Sequence, residues 1–293
     1  MKFTIFTPTY NRAHTLARLY KSLEQQTFTD FEWLVVDDGS TDDTKDYIEQ
    51  LQYESNFKIR YIYQNNSGKQ AAYNVGINNA DSVLFMCIDS DDQLKSNALE
   101  ELDYVWNSLE VHSKNNCAGI VFLDCDLQGN IIGTPLPQIN FSSFYDLYHK
   151  HKVSGDKGIL FQSKILKNYA FPIQPNENFI TEAVLYNRIS KKYLFCCFNS
   201  ILGIRDYQID GLSSKYNQLM VENPISSSIY FNELNFHEEN FKQRIKNDAV
   251  YTKFKLIGKA NLSDIYMQSL NRKYFLLGFG LGYLMYIKIK IKR

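Results

Sequence analysis

The chain has 293 residues, 44% apolar and 22% charged, with 32 basic side chains matched by 32 acidic ones. That length holds one large domain or a domain with an appendage, and the composition excludes a disordered polyampholyte. A formal net charge of zero excludes a global field that would gather nucleic acid.

Phe3 to Thr7 is a β-rich run that Pro8 is expected to stop. After Thr9-Tyr10-Asn11-Arg12, Leu16, Leu19, Tyr20 and Leu23 share one face of a helix from about His14 to Gln26. Phe31 to Val36 is a second strand, ending at Asp37-Asp38-Gly39-Ser40-Thr41-Asp42, and a polar helix runs on to about Gln52. Ile59 to Tyr63 is a third strand, and Asn65-Asn66-Ser67-Gly68-Lys69 is a turn that opens a helix from Gln70 to Asn79. Leu84-Phe85-Met86-Cys87-Ile88 is an unbroken apolar run, as in a strand buried on both faces, and it delivers Asp89, Ser90, Asp91 and Asp92 at its end. Strands alternating with helices at this spacing predict a Rossmann-like α/β fold with a mostly parallel, doubly wound sheet.

Further on, Asn97 to Val111 is an amphipathic helix, Gly119 to Leu123 a strand and Asp126 to Asn130 a turn. The alternation then lapses. Gly158 to Gln162 reads as a strand, Asn178 to Ser190 as a helix, and Tyr193 to Cys197 with Ile201 to Tyr207 as a closing pair of strands. After about Lys215 the pattern is helical and polar. We therefore place a boundary near there, between an α/β domain over 1–214, whose smaller region follows the lapse in alternation, and a C-terminal helical extension over 215–293.

The last stretch is distinctive. Tyr274 to Ile287 is fourteen residues without a charge, Lys288, Lys290, Lys292 and Arg293 follow, and no Asp or Glu occurs after Asp264. A spanning helix needs about 20 apolar residues, so this one suits the membrane interface, with its basic end drawn to anionic lipid. The other reading is a helix packed on its own domain with a solvated end.

The five cysteines (Cys87, Cys117, Cys125, Cys196, Cys197) form no CxxC pair and no metal spacing. Their odd number suggests a reducing compartment. The Met1-Lys2 start leads straight into a strand without a signal-peptide core. The expected location is the cytoplasm, peripheral on the inner face of the cell membrane.

Three carboxylates at one strand end repel unless something positive is shared among them. A hard divalent cation with oxygen ligands, keeping positions open for substrate phosphates, would serve. A solvated turn capping the next helix is the competing explanation. In an open α/β sheet the C-terminal strand ends are also where ligands bind.

Pro8-Thr9-Tyr10-Asn11, Asp37-Asp38-Gly39-Ser40 and Asp89-Ser90-Asp91 lie at strand ends one, two and four, in that order. Together they resemble the family 2 glycosyltransferases of the GT-A fold, bacterial surface-polysaccharide type, over roughly Lys2 to Ser213. The stretch Asn66-x-Gly68-Lys69-x-x-Ala72-x-Asn74-x-Gly76 is similar to that family's sequence before its metal strand. The resemblance implies that Pro8 and Tyr10 line a nucleotide-base pocket, flanked by Asn11 and Arg12, and that Asp38 accepts the imide hydrogen of a uracil-type base. Asp37 to Gly39 is equally a strand–helix turn with Ser40 as cap. Gly68, Lys69 and Asn74 fall on the donor side, where Lys69 either meets the diphosphate beside helix amides or is simply solvated.

The resemblance further implies that Asp91 ligates Mn²⁺ or Mg²⁺ directly, with Asp89 at the same metal site but nearer the ribose or a metal-bound water, and Ser90 on the donor side. It also places an acid six residues ahead of an Arg on a later helix, a spacing met by Glu182 and Arg188. Relatives often have two adjacent acids there. Ala183 follows Glu182 here, which leaves Glu182 as the candidate base, or as a first-turn acid favoured by the helix dipole. Asp210-Gly211-Leu212-Ser213 resembles a loop that closes over the donor, and Lys157-Gly158 is a candidate border of the acceptor site.

The implied activity is inverting transfer of a sugar from a nucleoside diphosphate sugar, with uridine expected, to a hydroxyl of a lipid-linked glycan. Two alternatives stand beside it. An inactive membrane-tethered glycan- or nucleotide-binding scaffold would keep the fold but have no need of the acidic clusters. A sugar nucleotidyltransferase would want a glycine-rich phosphate loop, and Thr7 to Arg12 contains no glycine.

Overall fold

Nine strands form one sheet in the computed structural model, which describes residues 1–208, 211 and 214–292. They are β1 (Phe3–Thr9), β2 (Phe31–Asp37), β3 (Lys58–Tyr63), β4 (Leu84–Cys87), β5 (Gln93–Leu94), β6 (Cys117–Cys125), β7 (Phe141–Ser142), β8 (Lys157–Gln162) and β9 (Leu194–Ile204). Their order is β3-β2-β1-β4-β8-β6-β9-β5, with β7 also on β9. The pairings make β1 to β4, β6 and β9 run one way and β5, β7 and β8 the other. The sheet is thus mostly parallel, and six strands deliver their C-terminal ends to the same edge.

One face of the sheet packs on helices Ala13–Glu24 and Ala98–Ser108 through Leu16, Leu19, Trp33, Met86, Leu99 and Leu102, all fully buried. On β1, Phe6 stacks on Phe85 of β4 and meets Tyr73 of helix Lys69–Asn79 edge-on. Buried apolar area of this kind is the main force holding the layers together.

Three local expectations are corrected. Pro8 does not stop β1, which continues in register with β2 through Pro8–Val36 and Thr9–Asp37. The pairing of β1 with β4 ends at Phe6–Cys87, so the missing proline N–H costs no bond on that side. The expected closing pair of strands is one strand, β9, whose register against β6 shifts between Phe198 and Ile201. There Asn199 leaves the ladder and exchanges two hydrogen bonds with the backbone of Leu136. The helix expected from Asn178 begins only at Ala183, because Asn178 and Phe179 donate their N–H groups to Asn223 Oδ1.

The chain divides into two compact units, one comprising 1–170 and 192–209, the other 171–191 and 210–293. The sheet lies in the first. The second is helical, built from Ala183–Ser190, Tyr216–Glu222, Pro224–Leu234, Phe241–Ile257, Leu262–Gln268 and Phe275–Lys292. Its small cores are Phe179, Met220 and Phe254, and Tyr251, Ile265 and Phe275. Segment 171–191 therefore groups with the helices after 210, rather than with the segment before it.

Candidate functional site

The C-terminal edge of the parallel strands gathers the expected motifs of the first unit side by side. At the end of β2, Asp37 is fully buried, accepts from the Ser40 N–H and takes a 2.6 Å hydrogen bond from the Tyr61 hydroxyl. Burial, and then that bond to a carboxylate, hold the Tyr61 phenol far above its usual range. Gly39 turns the chain at φ +86°, and a Cβ there would lie 2.8 Å from the Asn66 nitrogen, so the loops after β2 and β3 can touch only at glycine.

Asp38 has a larger structural part than the sequence suggests. One of its oxygens accepts from Ser67 N–H at 2.8 Å and Gln64 Nε2 at 2.7 Å, and the other from Gly68 N–H at 2.8 Å. The carboxylate thus clamps the loop that carries Lys69. A carboxylate offers about four acceptor positions, so little of its capacity is left for a base.

Asn11 sits at φ +52°, a left-handed conformation that Asn tolerates. Its N–H donates to Ser40 Oγ, and its Oδ1 accepts from the Thr41 N–H, both at 2.8 Å. Arg12 and Ala13 donate backbone N–H groups to Thr44 and Asp42. Tyr10 is left 48% exposed beside this tied pair of loops, open for stacking, while Pro8 is buried within β1.

The acidic end of β4 is sorted by partner. Lys69, the first residue of helix Lys69–Asn79, pairs with Asp89 at 2.7 Å. Burial works against the Asp89 charge, but Lys69 and Arg205 outweigh it and hold the carboxyl below its usual range. Asp91 forms no ion pair among the described residues. Burial, and then the charge of Asp89, raise its pKa, with Lys69 and Arg12 offsetting part of the rise. Asp92 is buried and bound by Arg205, and it also accepts the Asp206 N–H. Burial pushes Asp92 upward against the pull of Arg205, and Asp89 and Asp91 add to that. Ser90 is buried between them, and Asn74 lies half-buried on the helix that Lys69 opens.

Arg205 is the part that sequence reasoning missed. It follows β9 directly, binds Asp92 and also binds the fully buried Asp124 of β6 at 2.8 Å. Arg18 pairs with the neighbouring Asp206. An Asp inside an apolar strand was the available hint. The shared positive charge expected among the three carboxylates is therefore supplied in part by Lys69 and Arg205, and Asp92 is committed to the scaffold.

Among the described residues two carboxylates of this cluster remain for a cation, Asp91 and Asp89, the second with both oxygens against the Lys69 ammonium. No group of three or more His, Cys, Asp or Glu among the described residues is arranged to hold a metal alone. Two carboxylates nonetheless fit Mg²⁺ or Mn²⁺, which is commonly bound by one or two carboxylates plus substrate phosphates.

Glu182 belongs to the second unit. It stands at the N-terminus of helix Ala183–Ser190, half-buried, and accepts a 2.8 Å hydrogen bond from the Tyr186 hydroxyl. Arg188 forms a two-pronged pair with Glu233 at 2.7 and 2.8 Å. Lys157 does not present its charge at a surface. It is buried, and its ammonium donates to the carbonyls of Ile132, Ser154, Gly155 and Asp156, which ties two glycine turns together. Of the loop Asp210-Gly211-Leu212-Ser213, all but Gly211 lies outside the described residues.

A mostly parallel sheet whose strand ends present tied loops, a lysine-opened helix and a sorted acidic cluster is an α/β architecture of the GT-A kind. The profile of Glycosyl transferase family 2 matches residues 4–110. A Campylobacter jejuni GalNAc(5)-diNAcBac-PP-undecaprenol beta-1,3-glucosyltransferase is 29% identical over 72% of this chain and 67% of its own length. The Staphylococcus aureus poly(ribitol-phosphate) beta-N-acetylglucosaminyltransferase TarS is 35% identical, over 34% of this chain and 18% of its own length. In fold, TarS 1-349 in complex with UDP-GlcNAc superposes on the whole chain at a TM-score of 0.61 and 16% identity, covering 93% of that structure. A Pyrobaculum calidifontis mannosyltransferase in complex with GDP-Man and Mn²⁺ gives 0.57 at 13% identity, over 98% of this chain and 87% of its own. Residues 4–110 of this chain thus carry a family 2 glycosyltransferase region.

Proposed function

We propose that this protein transfers a sugar, with inversion, from a UDP-sugar to a hydroxyl of a lipid-linked glycan, in surface-polysaccharide assembly at the cytoplasmic face of the membrane. The observation that carries the reading is the single edge on which the Asp38-clamped loop, Lys69 and the Asp89–Asp91 pair meet. The undecaprenyl-linked acceptor in the name of the C. jejuni relative, and the UDP-GlcNAc held by TarS, support the acceptor and donor classes.

In this reading Tyr10 stacks on the base, Asn11 and Arg12 border it, and the free acceptor position of Asp38 takes its imide hydrogen. Gly68 N–H is already spent on Asp38, so Lys69 and the next helix amides are what meet the diphosphate. Lys69 would exchange Asp89 for phosphate oxygens, keeping the ammonium paired throughout. Asp91 and Asp89 would hold a divalent cation, which when bound supplies charge neutralisation for the departing diphosphate. Glu182 takes the proton of the acceptor hydroxyl as that oxygen bonds to the anomeric carbon and the bond to UDP breaks. One base and one displacement give inversion. Loss of a general base costs about 10²- to 10⁴-fold in rate, the range expected for Glu182→Gln with fold intact.

Thermal-shift binding of UDP, GDP, CDP and ADP, with and without Mn²⁺, tests the donor class. UDP alone should stabilise the chain, and more so with the ion. Equal or no stabilisation by all four would overturn the nucleotide assignment.

A further inference from the structure

Helix Phe275–Lys292 is apolar on both of its sides, and only one side is covered. Gly278 and Gly282 lie so close to helix Phe241–Ile257 that a Cβ on them would come within 2.3 Å of Asp248 and 2.4 Å of the Ala249 carbonyl. The other side carries Leu277, Leu281, Leu284 and Lys288 at three- and four-residue spacing, and all four are exposed. Leu276 beside them is 81% exposed, and a Cβ on Gly280 would touch nothing within 4 Å. A helix apolar all round belongs in a core or in lipid.

Charge indicates what covers it. Arg272 and Lys273 precede the helix, Lys288, Lys290 and Lys292 end it, and no acid follows Asp264. A second copy on the same stripe would set cation against cation in either orientation. An anionic lipid surface is complementary to both ends.

Among the described residues, Arg272–Ile291 is the stretch long and apolar enough to cross a membrane by length and composition. Two features oppose crossing. The charge-free run of fourteen residues spans about 21 Å as helix, against about 30 Å of hydrocarbon. The covered side is fastened to a helix bearing Lys242, Arg244, Lys246, Lys253 and Lys255, which would have to enter the lipid with it.

We infer that this helix lies in the plane of an anionic membrane, with the Leu277–Leu281–Leu284 stripe in the interface and the basic ends on lipid headgroups. This deepens the membrane element of the function proposed above, and its test requires no turnover, so it stands or falls apart from sugar transfer. The full chain should float with phosphatidylcholine vesicles containing phosphatidylglycerol at least about tenfold more than with phosphatidylcholine alone. Leu277→Ser/Leu281→Ser/Leu284→Ser should abolish flotation while leaving the circular dichroism unchanged, since these side chains are outside the packed face. Flotation equal in parent and variant would overturn the proposal. So would a dimer in sedimentation that the triple variant dissolves, because a second copy would then own the stripe. For orientation, Leu281→Trp should be quenched more by lipids brominated near the headgroup than near the chain end. The reverse order would mean insertion across the bilayer.

Discussion

Asp91 and Asp92 are neighbours in sequence in unlike surroundings, and their partners show why. Asp92 is buried against Arg205, which also holds Asp124. Removing the guanidinium leaves two buried carboxylates without their cation, and breaking such a pair costs about 3–5 kcal/mol. Arg205→Met should therefore lower the urea midpoint strongly. Asp91 has no ion pair among the described residues, and the charge of Asp89 beside it is unfavourable. Asp91→Asn should leave stability within about 0.5 kcal/mol yet abolish sugar transfer. A marked loss of stability in Asp91→Asn, or full activity, would assign it to the scaffold instead. The acidic triplet was legible from the apolar strand that ends in it. The commitment of Asp92 to an ion pair was not, because Arg205 lies 113 residues from Asp92 and only the sheet brings them together.

Elements of the first unit were legible because local pattern and tertiary demand agree there. Leu84, Phe85 and Met86 of β4 are buried as expected, with Cys87 half-buried, and the loops after β1, β2 and β3 fall at one edge because the strands run parallel. Disagreement arose where side chains override local tendency, as when Asn223 takes the backbone donors that would have extended the helix back to Asn178. Gly76 shows how tightly one element constrains another. A Cβ there would lie 2.5 Å from the Phe6 ring, which is itself packed between Phe85 and Tyr73. Gly76→Ala should raise helix propensity but overpack that layer, for a net loss of about 1–3 kcal/mol in urea unfolding. It should also weaken UDP binding, since the same helix opens with Lys69. Stabilisation by Gly76→Ala would show that the ring has room to move.

Across the whole molecule, the grouping of 171–191 with the helices after 210 rests on polar ties that no hydrophobic period reveals. Glu177 caps helix Pro224–Leu234 by accepting from Ile225 and Ser226 N–H at 2.7 Å, and Arg188 grips Glu233. At the centre of that unit Asp248 is fully buried, bonded to the side-chain amides of Asn235 and Asn271. Burial raises its carboxyl from 3.8 to about 6, outweighing those two amides and Arg244. Between these values the folded chain keeps a proton that the unfolded chain has released. Asp248 therefore contributes a stability that falls as pH rises through that window and is level above it. Asp248→Asn removes the titration, so the gap in urea midpoint between parent and variant should change steadily from pH 4 to 6 and stay constant above. Parallel curves over that range would mean that Asp248 is ionised in the folded chain throughout, with its two amides and Arg244 outweighing burial. The same measurement reports on the helix that carries the exposed leucine stripe, because Gly278 packs directly on Asp248 and Asn271 precedes that helix. A midpoint that moved without any effect on vesicle flotation would separate the packing of this helix from its use as a surface.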